Sequence, residues 1–88
     1  MFRVEWLQRA LDDLTTGWLQ ASAQERLAIT SASHALEEGL RTDPQHEGES
    51  REGDVRIAFE APLAVSFHVD PYRRLVTVLH VRLFRRRQ

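Results

Sequence analysis

The chain has 88 residues and contains no cysteine and no lysine, with one tyrosine, one methionine, three prolines and four glycines. Without cysteine there is no disulfide framework and no thiolate zinc site. That suits a reducing compartment, and the cytoplasm is the expected location. Without lysine, all twelve basic side chains are arginine. Arginine offers a planar fork for phosphate but stays protonated to about pH 12, so it cannot shuttle protons. Any proton chemistry falls to the four histidines and the acids. No run of 18 apolar residues occurs, so no membrane-spanning helix is expected. The opening Met1-Phe2-Arg3-Val4-Glu5-Trp6 lacks the apolar block of a signal peptide and reads as the first strand of the fold. No glycine-rich nucleotide loop is present.

What is present fits one small domain over residues 1–88, burying roughly 60–65% of its unfolded surface. The charge is uneven. Residues 1–50 carry four arginines against nine acids, and residues 51–88 carry eight arginines against four acids. A polyanion would therefore meet the C-terminal half.

Hydrophobic period divides the chain into elements. Phe2, Val4 and Trp6 alternate with Arg3 and Glu5, the mark of a half-buried strand. Leu7, Leu11, Leu14 and Trp18 then fall on one helical face, with Gly17 weakening the last turn. Ser22-Ala23-Gln24-Glu25 reads as a capping box opening a second helix at Ala23, with Ile29, Ala32, Leu36 and Leu40 on its apolar face. Asp43-Pro44 ends it. Residues 42–54 are polar, contain glycine and read as a loop. Three strands follow, from Val55, from Leu63 and from Leu75 to about Phe84, separated by turns at Ala61-Pro62 and Asp70-Pro71-Tyr72-Arg73-Arg74. Arg85-Arg86-Arg87-Gln88 reads as a basic tail. The expected fold is α+β in the order β-α-α-β-β-β, a two-helix hairpin on one face of a mainly antiparallel four-stranded sheet.

Alternation also predicts which residues share a face. The more apolar set should meet the helices: Val55, Ile57, Phe59, Leu63, Val65 and Phe67, then Leu75, Leu79, Val81 and Leu83. Arg56, Ser66, His68, His80 and Arg82 then fall on the open face, with Val76 and Val78 between them, and Arg51 in the loop leading to it. Such a group suits RNA phosphodiester cleavage, which needs a base, an acid and cations around phosphorus. Histidine supplies the first two near neutral pH and arginine the third. The same residues also suit a face that is merely solvated. His46-Glu47-Gly48-Glu49 matches no common metal-ligand spacing, so no metal and no cofactor is expected. Trp6 and Trp18 read as core anchors.

The order of elements, together with Phe2-Arg3-Val4-Glu5-Trp6, Ala10-Leu11-Asp12-Asp13-Leu14, Gly48-Glu49-Ser50-Arg51, Pro62-Leu63, Phe67-His68-Val69 and Arg74-Leu75-Val76-Thr77-Val78-Leu79, resembles the RelE/ParE toxins of type II toxin–antitoxin systems. The likeness covers nearly the whole chain. It implies a toxin neutralised by a cognate antitoxin, with no membrane partner and no small-molecule ligand. RelE-like members cut mRNA on the ribosome with basic residues on the open sheet face and usually a Tyr or His near the C-terminus. ParE-like members inhibit DNA gyrase without that catalytic set. Here Phe67-His68 stands where the family often has Tyr-Arg, and Leu83-Phe84-Arg85 carries no Tyr. The expected activity is ribosome-dependent mRNA cleavage, with His68, His80 and Arg82 catalytic and Arg51, Arg56 and Arg73 contacting RNA phosphates. The alternatives are gyrase inhibition without chemistry, or a degenerate member that only binds its antitoxin.

Overall fold

The computed structural model describes residues 1–50 and 53–84. Strand β1 (Arg3–Trp6) leads into helices α1 (Gln8–Leu19) and α2 (Ala23–Thr42). A 3-10 turn at Pro44–His46 and the two-residue strand β2 (Glu49–Ser50) follow, then β3 (Val55–Glu60), β4 (Leu63–Asp70) and β5 (Leu75–Leu83). The five strands form one sheet in the order β1-β5-β4-β3-β2, antiparallel except that β1 runs parallel to β5. The α+β class and element order match the expectation from sequence. The added strand is β2, too short for alternation to reveal it.

The capping box forms as its residues require: Ser22 Oγ accepts from the Glu25 backbone N–H (3.1 Å), and Glu25 Oε1 accepts from the Ser22 N–H (2.9 Å). Helix α2 buries Ile29, Ala32, Leu36 and Leu40. Helix α1 differs from expectation. Ala10 is its buried residue and Leu14 packs partly on the core, while Leu11 (40%) and Trp18 (37%) remain exposed. The contacting stripe is Ala10, Leu14 and Gly17, i, i+4 and i+7, shifted from the leucine stripe. The reason is approach distance. A Cβ placed on Gly17 would meet the Leu83 side chain, so a glycine at this point of the stripe lets α1 come down onto β5. Trp18 instead lies under the Arg26 guanidinium, 5.4 Å from its ring centroid.

The sheet also corrects the predicted faces. On β4, Leu63, Val65, Phe67 and Val69 are buried towards the helices as alternation demands. Register then fixes the neighbours, because directly paired residues share a face. Phe67 pairs with Arg56 and Val65 with Ala58, so Arg56 and Ala58 lie on the helix side of β3 and Val55, Ile57 and Phe59 on the open side. On β5, Leu63 pairs with Leu83 and Val65 with Val81, but Phe67 pairs with Val78 and Val69 with Val76. Leu79 is the extra residue of a β-bulge that shifts parity by one. Val76 and Val78 are therefore fully buried, and Leu75 falls on the open side with Asp70.

Candidate functional site

The open face is organised in rows across three strands. Ile57, Ser66 and His80 form one row, since Ile57 pairs with Ser66 and Ser66 with His80. Phe59, Ala64 and Arg82 form the next. In both rows the central strand carries a small residue between larger ones on β3 and β5. The consequence is a cleft of about 630 Å³ with Ala64 and Ser66 on its floor. Ile57, Phe59 and Phe84 supply apolar walls, and His80, Arg82 and Asp13 supply the polar rim. The Phe84 N–H donates to the Pro62 carbonyl (2.9 Å), which holds its ring near Phe59 in an edge-to-face contact, centroids 6.4 Å apart.

Asp13 reaches this site because α1 guards the edge of β5. Strand β1 ends at Trp6, opposite Val78, leaving the rest of β5 without a strand neighbour on that side among the described residues. Side chains of α1 take over the ladder: Arg9 Nε–H donates to the Leu79 carbonyl (3.3 Å) and the Val81 N–H donates to Asp13 Oδ2 (3.3 Å). The same Asp13 oxygen lies 3.8 Å from His80 Nδ1. Nε2 is the His80 ring nitrogen without a carboxylate contact among the described residues. Among the described residues Arg82 forms no ion pair. The Ser66 hydroxyl is screened from solvent and has no hydrogen-bond partner among the described residues.

The structure gathers some of the predicted residues and separates others. His80 and Arg82 share the cleft. His68 stands on the same face one row away, paired with Val55 and Thr77, its Nε2 3.8 Å from Asp54 Oδ2. Arg56 does not join them. Contrary to expectation it lies on the helix side, where its Nε–H donates to the Glu47 carbonyl (2.9 Å) and its Nη2 to the Gly48 carbonyl (3.0 Å), clamping the loop onto β3. Arg73 stands in the β4–β5 turn with its Nε 3.8 Å from Asp70 Oδ2, beyond the last pair of the hairpin. Arg51 lies outside the described residues, as do Arg85, Arg86 and Arg87. Sequence reasoning passed over Asp13, Ile57, Phe59 and Phe84. The signal for the cleft was the small pair Ala64 and Ser66 on an otherwise bulky strand.

The toxin–antitoxin ParDE system of P. aeruginosa superposes with a TM-score of 0.71 at 17% identity, covering 97% of this chain and 98% of that one. The RelBE2 toxin–antitoxin complex of Mycobacterium tuberculosis gives 0.71 at 15%, covering 94% and 91%. The isolated E. coli RelE toxin gives 0.65 at 16%, covering 100% and 89%. The chain has the RelE/ParE toxin fold. No family model and no curated protein matches the sequence. Within this fold, the cleft lies on the sheet face that the helices leave open, and its walls come from Ile57, Phe59 and Phe84 rather than from a row of cations.

Proposed function

We propose that the chain is the toxin of a type II toxin–antitoxin pair and that it cleaves mRNA on the ribosome. The observation that carries this reading is the placement of His80, Arg82 and His68 on one uncovered sheet face, with Asp13 behind His80. His80 sits opposite Ser66 and His68 two residues further along β4, a diagonal spacing of about 7–8 Å between such positions. A phosphodiester fits between two imidazoles so spaced. In the reaction His80 takes the 2′-hydroxyl proton as the 2′-oxygen bonds to phosphorus. The bond from phosphorus to the 5′-oxygen breaks, and His68 returns a proton to that leaving oxygen. Arg82 offsets the charge that grows on the phosphoryl oxygens. The likeness to toxins solved within antitoxin systems supports a cognate antitoxin as the neutralising partner.

Primer extension on mRNA after induction, and in a purified ribosome reaction, tests this directly. Cut sites should appear with the wild-type chain, and His80→Ala should reduce cutting by ~10²–10⁴ while circular dichroism stays native. Undiminished cutting or toxicity in both His80→Ala and His68→Ala would overturn the catalytic assignment. A second reading, gyrase inhibition through protein contact alone, draws on the apolar walls of the cleft. It requires loss of DNA supercoiling activity with mRNA left intact.

A further inference from the structure

We infer that the open-face cleft is a pocket for one nucleobase, with Phe59, Phe84 and Ile57 covering its faces and Ser66 meeting its edge. The inference rests on the RNA reading for the polymer that would deliver the base, and on the cleft itself for the chemistry. Three features carry it. First, the walls are aromatic and apolar where the fold does not require them: Phe59 is 60% exposed and Phe84 38%, on a face that among the described residues packs against no helix. Aromatic rings exposed in this way suit the flat π-face that every base presents. Second, the floor is not purely apolar. Ser66 lines the cleft floor, and its hydroxyl, screened from solvent as the side chain stands, has no hydrogen-bond partner among the described residues; a turn about χ1 would present it to a bound base as donor or acceptor. An inserted leucine or isoleucine would leave that hydroxyl unanswered, whereas a base edge carries donors and acceptors for it. Third, Arg82 stands at the rim without a carboxylate partner among the described residues, placed for the phosphate attached to the base. The negative charge at the rim, on Asp13, is turned towards the Val81 N–H and His80.

The position of the pocket beside His80 makes Ser66 a specificity-determining residue, because the base it accepts fixes which phosphodiester lies over the histidines. The experiment is an NMR titration of the full chain with AMP, CMP, GMP and UMP separately, and with ribose 5-phosphate as the probe that lacks a base. At least one nucleotide should bind roughly 5- to 150-fold more tightly than ribose 5-phosphate, the range for one stacked base. Its shifts should centre on Ile57, Phe59, Ser66 and Phe84. Phe84→Leu should remove most of that advantage. Ser66→Ala should narrow the preference between bases by about 2- to 12-fold while leaving the stacking advantage. Equal binding of ribose 5-phosphate and all four nucleotides would overturn the pocket, as would shifts produced by an apolar peptide and by no nucleotide. The two readings separate cleanly in the same set of samples. Cutting of mRNA with no base-dependent affinity sinks the pocket and leaves the nuclease standing. Base-selective binding without cutting keeps the pocket and removes the nuclease.

Discussion

On its helix-covered face the sheet presents Leu63, Val65, Phe67, Val76 and Val78, all fully buried, while on its open face the same strands present Ile57, Phe59, Ser66, His80 and Arg82. The contrast is not one of apolar against polar. Strand β3 turns its larger apolar residues, Val55, Ile57 and Phe59, outward, and gives the covered side Ala58 and Arg56. Helix α2 passes over β3, and the loop through Gly48 lies against its other edge, so little room remains beneath them. Ala58 fits that space, and the Arg56 head is used up on the loop carbonyls. The covered face is decided by volume and the open face by what the fold has no need to hide.

The largest expected effect lies on the covered face. Phe67 is fully buried at the centre of β4, and Phe67→Ala should cost about 3–5 kcal/mol through lost burial and the cavity left behind. A domain of this size has a total stability on the order of 5–15 kcal/mol, so this variant should melt far below the wild type or fail to fold. A thermal melt by circular dichroism that shifts by only a degree or two would mean that the covered face is packed less tightly than the contrast requires.

Next comes the loop that β3 holds. Gly48 has φ +66°, and a Cβ there would run into the Ile57 carbonyl oxygen. Gly48→Ala should therefore destabilise the chain by roughly 2–3 kcal/mol, from left-handed strain and a backbone clash that cannot move aside. Urea unfolding measures it. A neutral result would show that β2 and its loop can lift from β3 without cost.

How much of this was legible beforehand follows from where each residue's role is decided. Ser22 and Glu25 answer each other three residues apart, and Asp43-Pro44 stops α2 by local sterics, so helix limits could be read directly. Strand β4 was equally plain, because its alternation is unbroken and both neighbours pair with it. The faces of β3 and of the first half of β5 were not. One bulge residue, Leu79, inverts the parity of Leu75 to Val78, and nothing in Val76-Thr77-Val78-Leu79 announces it. On β3 the apolar set was larger on the wrong side, because the space over Ala58 is set by α2, about twenty residues earlier in the chain. His80 and Arg82 lie after the bulge, in phase with β4, so their place on the open face was correctly read. Arg56 moved with its strand.

Arg56 and Arg82 sharpen the contrast in one pair of variants. Arg56→Ala leaves the Glu47 and Gly48 carbonyls without their donor and should cost roughly 1–3 kcal/mol of stability. Arg82→Ala removes an arginine with no ion pair among the described residues, so its stability should stay within about 0.5 kcal/mol while mRNA cutting falls. Denaturant melts run beside primer extension decide it. A stable Arg56→Ala would return Arg56 to the open face that alternation alone assigns, and an unstable Arg82→Ala would take Arg82 off that face.

The smallest expected change is also the most direct test of the inverted strand. Phe59 is the largest side chain on β3, and from hydrophobicity alone it belongs in the core, where Phe→Ala costs several kcal/mol. In the structure it is mostly exposed, touching Phe84 edge to face over the cleft. Phe59→Ala should then shift stability by no more than about 0.5 kcal/mol, with the lost aromatic contact as the main term. Its neighbour Ala58 gives the internal control, since it is buried between the sheet and α2. Enlarging it in Ala58→Leu should cost about 1–3 kcal/mol by overpacking. If the small residue proves intolerant of change and the large aromatic proves indifferent to loss, β3 faces as described. Should Phe59→Ala unfold the chain while Ala58→Leu is accepted, the strand is turned over, and the cleft loses one of its walls with it.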